Sequence, residues 1–213
     1  TMLGVITVDD VIDVITEEAT QDIYNLAGLS EEDRIFTSAR VSISKRLPWM
    51  LVNLCTAFGA GAIVGLFEGT LERMVSLAIF LPVVAGIGGN GGIQTLTVIT
   101  RAIALGEIEF SSGMRAVGKE MFVGLVVGSA AGVISGAIAY LLHGNLYMGL
   151  VLFLAMIVTM VTASLVGAAV PLLLKAMGQD PALGSGILVT FAADALGFFS
   201  FLGIATLLLD RIA

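Results

Sequence analysis

The sequence predicts an all-α membrane protein with five transmembrane helices, and three observations carry that reading. Of the 213 residues, 57% are hydrophobic and only 13% charged, with a mean hydropathy of +1.02. Five apolar runs, roughly 47–67, 74–100, 117–142, 146–174 and 183–209, are each long enough to cross about 30 Å of hydrocarbon. The basic residues then alternate as five crossings require. Arg34, Arg40, Lys45, Arg46, Arg101, Arg115, Lys119 and Lys175 fall on the side of the N-terminus, whereas Arg73 and Arg211 fall on the other. This eight-to-two split predicts a cytoplasmic N-terminus and, with an odd number of spans, a C-terminus outside.

The net charge of −7 is a local property. Nine of the seventeen acids lie in the first 33 residues (Asp9, Asp10, Asp13, Glu17, Glu18, Asp22, Glu31, Glu32, Asp33), with no Lys or Arg among them. A basic face for nucleic acid is absent. Cys55 is the sole cysteine, which excludes an intrachain disulfide framework or a cysteine metal cage. The opening Thr1-Met2-Leu3-Gly4 has neither a basic n-region nor an apolar core. It predicts no signal peptide and reads as the continuation of a longer protein.

In chain order, Gly4–Val8 predicts a short strand leading to a helix cap, and Thr7-Val8-Asp9-Asp10 fits a capping box with Asp in place of Glu. Val8, Val11, Ile12, Ile15, Ala19, Ile23 and Leu26 recur at helical spacing, giving an acidic amphipathic helix that stops near Gly28. Ser30-Glu31-Glu32-Asp33 predicts the cap of a second helix, which runs with its basic residues into the membrane. Trp49, at the start of the first span, predicts an interfacial anchor. Ala57, Gly61, Gly65 and Gly69 in the first span, and Gly124, Gly128, Gly132 and Gly136 in the third, form small-residue faces expected to hold the bundle together.

The second span carries no charge from Met74 to Thr100, yet it contains Pro82 and then Gly86-Ile87-Gly88-Gly89-Asn90-Gly91-Gly92. A proline removes a backbone donor, and each glycine costs about 1 kcal/mol against alanine in a helix. A broken helix is therefore expected, tolerated in lipid only where protein covers it or where it lines a watery cavity. Asn90 and Gln94, four residues apart, predict a polar face on the wall of such a path, with a kinked packing seam as the plainer alternative.

Asp194 reads as the only acid well inside a span, about eleven residues from Leu183 and so near the bilayer midplane. Insertion scales charge about 2.5–3.5 kcal/mol for a carboxylate at that depth, and no basic residue lies deep in another span to offset it. His143, the sole histidine, reads as a loop residue. Gly186, Thr190, Asp194 and Gly197 predict a narrow small-and-polar stripe along an aqueous path. Hard oxygen donors without thiols or imidazoles suit Mg²⁺, Ca²⁺ or Mn²⁺. A single carboxylate per chain is a thin site, and two chains meeting on an axis would make a ring of two. Mg²⁺ keeps several of its waters, to which Asn90 and Gln94 offer hydrogen bonds. The plainer alternative is a protonated structural Asp.

Pro82, Gly86-Ile87-Gly88-Gly89-Asn90, Gln94, Asp194 and the acidic lead-in together resemble the MgtE family of magnesium channels and transporters, over nearly the whole chain. The resemblance implies a homodimer with a pore on its two-fold axis, lined by the second and fifth spans. It further implies Asp194 as the ion-selecting carboxylate, the carbonyl of Thr190 as its companion, and Gly86, Gly89 and Asn90 in the pore wall. Residues 1–8 would be the end of a CBS domain, 9–29 a connecting plug helix, 30–46 a lead-in helix, and 47–213 the pore domain. Cytoplasmic Mg²⁺ would be sensed by acids, with Asp10, Asp13, Glu18 and Asp22 preferred and Asp9 and Glu17 as further candidates. Clustered carboxylates repel, and divalent cations relieve the repulsion and favour a closed arrangement. The family's N-terminal cytoplasmic domain and most of its CBS region have no counterpart here, from which a pore less tightly inhibited by Mg²⁺ is expected.

The expected function is thus Mg²⁺ transport across a bacterial inner membrane by a multi-pass homodimer among lipids, with Ca²⁺, Mn²⁺ or Co²⁺ as further possible cargo. No organic cofactor, nucleic-acid partner or enzymatic activity is expected. A proton- or Na⁺-coupled transporter is the nearest alternative, because broken helices and a midplane carboxylate also serve that class. An aspartyl intramembrane enzyme would need a second intramembrane carboxylate, and a serine enzyme a base paired with a serine.

Overall fold

The computed structural model describes residues 7–29, 33–108 and 110–212, together with the backbone but not the side chains of Glu18, Ala19, Asp22, Phe110 and Ser111. The expected strand at 4–8 and cap at Ser30–Glu32 fall largely outside these residues. All regular structure among them is helical: α1 (Val8–Leu26), α2 (Ala39–Gly65), α3 (Glu68–Arg73), a 3₁₀ segment (Val75–Phe80), α4 (Leu81–Ala104), α5 (Phe110–His143), α6 (Leu146–Ala176), α7 (Ser185–Leu207) and α8 (Leu209–Ile212). Five stretches are long and apolar enough to cross a membrane: Ala39–Gly65, Val75–Ala104, Ser112–His143, Leu146–Ala176 and Ser185–Leu207. This is an integral, multi-pass membrane protein.

Helix α1 starts at the expected capping box. The Thr7 N–H and hydroxyl both donate to Asp10 Oδ2, at 2.9 and 2.7 Å, and the Asp10 N–H donates back to Thr7 Oγ1 at 3.4 Å. These bonds hold the Asp10 carboxyl below the usual carboxylate range, the Thr7 backbone N–H contributing most. The apolar stripe Val8, Val11, Ile12, Ile15 and Ile23 stays exposed, and among the described residues the bonds that tie α1 to the bundle are at its C-terminal end.

Helix α2 corrects the expected lead-in. It begins at Ala39, not near 30, and continues through Pro48 to Gly65, so lead-in and first span are one helix. Residues 33–38 turn back on it instead. Asp33, almost wholly covered, accepts from Ser42 Oγ at 2.5 Å and from Arg46 Nε at 2.6 Å. The Arg46 bond first and the Ser42 bond second draw its carboxyl below the usual range.

The glycine-rich span is also corrected, because α4 is unbroken from Leu81 to Ala104. The disruption sits earlier, in the 3₁₀ segment, so Pro82 occupies the first turn of α4, where no intrahelical donor is lost. The glycines are tolerated because neighbours press against them. A Cβ added at Gly91 would lie 2.6 Å from Met160 Cε, one at Gly92 2.7 Å from Val189 Cγ1, and one at Gly167 2.5 Å from the Gly92 carbonyl oxygen. Close packing on α6 and α7 replaces what the helix loses in propensity.

The seam of α5 behaves as expected. A Cβ at Gly128, Gly132 or Gly136 would stand 2.7–3.0 Å from the backbone oxygens of Met156, Phe153 and Gly149 on α6. The rhythm in the first span does not. Gly61, Gly65 and Gly69 meet nothing within 4 Å, whereas α2 leans on α7 through Gly59, whose Cβ would lie 3.1 Å from Phe191 Cε2. At the far end, Arg73 pairs with Asp210 at 3.2 Å, Thr70 and Thr206 share a hydroxyl bond at 2.7 Å, and Arg211 stacks over Tyr147. That cluster gathers α3, α8 and the start of α6 at one end of the bundle, as the alternation of basic residues requires.

Candidate ion pathway

Helix α7 carries Asp194 as its tenth residue of 23, roughly 14 Å along the axis from Ser185, so mid-span. The helix is set by Gly184, whose φ of +63° reverses the chain out of the α6–α7 turn, and by Asp180, which accepts from the Ala182 N–H at 2.8 Å. Asp194 is partly buried, and among the described residues no side chain bonds its carboxylate. The Thr190 hydroxyl donates to the Gly186 carbonyl at 2.8 Å. The Thr190 carbonyl lies inside a continuous helix, where it faces the Asp194 N–H and retains one lone pair.

Helices α4 and α7 lie side by side at this level. A Cβ at Gly92 would meet Val189, one at Gly89 would lie 3.7 Å from Thr190 Cγ2, and one at Gly88 3.8 Å from the Ala193 carbonyl oxygen. Gly86, Asn90 and Gln94 share the exposed side of α4, whereas Gly89 is buried in the seam. The structure therefore places Asn90, Gln94, Thr190 and Asp194 on adjoining helices and leaves the two amides uncovered by the protomer. The stripe expected on α7 is only half available. Gly186 is buried beneath the Leu26 carbonyl of α1, to which its Cβ would approach 2.7 Å, and Gly197 is packed on Thr159 and Val84.

The end of α1 is joined to the base of α7. Asn25 Nδ2 donates to Asp180 Oδ2 at 2.7 Å, and the Gly184 N–H donates to the Asn25 carbonyl at 3.4 Å. The ring of Trp49, expected as an interfacial anchor, covers both Gly28 (φ +67°) and Gly184 (φ +63°). Gln21, Asn25, Gly28, Leu29, Lys45, Trp49 and Leu183 line a cavity of about 300 Å³ there. Asp9, Asp13 and Glu17 are exposed on α1 at four-residue spacing, and Asp10 is turned back to Thr7. The side chains of Glu18 and Asp22 lie outside the described residues. Among the described residues, no three acids, histidines or cysteines gather into a metal cage.

Sequence reasoning missed a second acid within a membrane helix. Because α5 starts at Phe110, Glu120 lies well inside it with a side chain only 6% exposed, paired to Lys119 Nζ at 2.6 Å and accepting from Thr95 Oγ1 of α4 at 3.3 Å. The adjacent Lys119-Glu120 pair was the available signal. Thr159, buried between α4 and α7, was equally hidden, because no spacing rule marks a lone threonine in an apolar span.

Comparison with known proteins identifies the family. A family model described as MgtE, divalent cation transporter, matches residues 81–204. The magnesium transporter MgtE of Thermus thermophilus is 35% identical over 219 residues, covering 99% of this chain and 47% of that protein. The magnesium transporter MgtE of Bacillus subtilis is 32% identical over 205 residues, with 96% and 46% covered. That of Enterococcus faecalis is 32% identical over 206 residues, with 97% and 45% covered. The chain thus spans about half the length of these relatives.

Proposed function

The chain belongs to the MgtE family of divalent cation transporters, and from that premise we propose that it forms the membrane path for Mg²⁺. Asp194 is the mid-span carboxylate that attracts the ion, with the Thr190 carbonyl beside it. Asn90 and Gln94 hydrogen-bond the waters that Mg²⁺ retains, Gly86 keeps the wall beside them smooth, and Gly89 lets α4 close on Thr190. The reading rests above all on Asp194, a partly buried mid-span carboxylate without a protein partner among the described residues, next to a helix that turns two amides outward.

A carboxamide facing hydrocarbon leaves donors and acceptors unsatisfied at a cost of several kcal/mol. A second copy of the chain meeting the first on a two-fold axis would cover Asn90 and Gln94 and double the carboxylate, giving a homodimeric pore. The excess of basic residues beside the N-terminus supports a cytoplasmic N-terminus in a bacterial inner membrane. The exposed acids of α1 would then face cytoplasmic Mg²⁺ as regulatory ligands, with Ca²⁺, Mn²⁺ and Co²⁺ competing as cargo.

The test is Mg²⁺ flux into proteoliposomes for the wild-type chain, Asp194→Asn and Asp194→Ala, with folding and oligomeric state checked. Loss of flux in both variants is expected, driven by the divalent gradient and voltage alone. Unchanged flux would remove Asp194 from the path, and flux that follows an imposed pH or Na⁺ gradient would mark a coupled transporter instead.

A further inference from the structure

Thr159 sits where α4, α6 and α7 cross and is wholly buried. Its methyl fills the crossing. A Cβ added at Gly88 of α4 would lie 2.5 Å from Thr159 Cγ2, and one at Gly197 of α7 would lie 3.1 Å from the same carbon. Among the described residues the hydroxyl has no hydrogen-bond partner. On the Gly197 side it stands 3.3 Å from where a Cβ would be, an oxygen where a second methyl would be wider. A buried hydroxyl without a partner costs stability, so the position is explained by shape and not by polarity.

The surroundings say what that shape controls. Gly88 lies two residues before Asn90, and a Cβ on it would come within 3.8 Å of Ala193, the residue before Asp194. One side chain on α6 therefore touches both α4 and α7 within a turn of Asn90 and Asp194. We propose that Thr159 is a positioning residue whose methyl is the spacer between the two path-lining helices, and that this spacing tunes the path to a hydrated divalent cation. The inference rests on the reading of α4 and α7 as the ion path and deepens it.

The contact predicts a compensating pair. Gly88→Ala drives a methyl into Thr159 Cγ2 and is expected to lower Mg²⁺ flux at least tenfold in proteoliposomes. Adding Thr159→Ser, which removes only Cγ2, is expected to restore most of that flux. Thr159→Ser alone, lacking the spacer, should raise the half-saturating Mg²⁺ concentration at least threefold. Thr159→Val keeps Cγ2, so it should not restore the flux of Gly88→Ala, and restoration by Val would overturn the spacer role. An unchanged half-saturating concentration in folded Thr159→Ser, beside loss of flux in Asp194→Asn, would overturn the spacer role alone. Failure of Thr159→Ser to rescue Gly88→Ala would overturn it too. Unchanged flux in Asp194→Asn would overturn the pathway reading and the spacer role with it.

Discussion

Asn25 donates a 2.7 Å hydrogen bond to Asp180 across 155 residues of chain, tying the end of the acidic helix to the turn that launches the helix of Asp194. Both partners are polar and near solvent, so the bond contributes about 0.5–1.5 kcal/mol. Its importance lies in what it joins: α1, otherwise bare along its apolar stripe, is docked on the base of α7.

Asn25→Ala is expected to loosen this docking without unfolding the bundle. Trp49 is the only tryptophan and covers Gly28 and Gly184 at the joint, so its fluorescence reports the change directly. Red-shifted emission and several-fold faster proteolysis near Gly28 are the expected outcomes. Emission identical to wild type would show that Asn25 does not hold the joint.

Gly184→Ala attacks the same place through the backbone. The residue is held at φ +63°, and an added Cβ would lie 2.9 Å from Trp49 Cζ3. Strain of about 1–2 kcal/mol adds to the displaced ring. A lowered melting temperature in detergent, with Trp49 emission shifted, is expected.

The α5–α6 seam should be far less tolerant than the glycine rhythm of α2. Gly132→Leu forces a side chain into the Phe153 backbone and should cost about 3 kcal/mol or more. Gly61→Leu enters open space, so the isolated protomer should unfold at the wild-type temperature. Thermal unfolding of the two variants in the same detergent checks the contrast.

Asp33 makes the fold pH-dependent in one direction. Its carboxyl is held below the usual range by Arg46 and Ser42, so the folded state binds that proton less readily than the unfolded chain. The stabilisation is full above the unfolded carboxylate range and is lost as pH falls through the depressed folded value. Thermal unfolding followed from pH 7 to about pH 3 should show a fall that is shallower in Asp33→Asn. Equal slopes would assign the acid sensitivity to other carboxylates.

Glu120 tests the cost of a charge inside the bundle. Glu120→Gln keeps an acceptor for Thr95 and should cost about 1 kcal/mol. Glu120→Leu leaves the Thr95 hydroxyl without its partner, and Glu120→Lys buries a cation beside Lys119 at about 3 kcal/mol or more. Yield and melting temperature should fall in that order.

Much of this protein is determined by local chemistry, which a sequence displays directly. Apolar length makes spans, Thr7 and Asp10 cap α1, and Gly124 to Gly136 mark a close helix pair because their spacing matches one helix face. The rarity of a carboxylate within an apolar run likewise singled out Asp194. Only the tertiary structure decided what each small residue does, because a glycine's use depends on what approaches it. Helix propensity implied a break at Gly86–Gly92. The chain instead keeps α4 unbroken, since Met160, Val189 and the Gly167 backbone fill the space that side chains would occupy. In α2 the same spacing meets nothing. Asp33 on Arg46, Asn25 on Asp180 and Thr159 beneath Gly88 join residues 13 to 155 apart or on different helices. Periodicity along one helix carries no information about its neighbours, so those contacts came from packing alone.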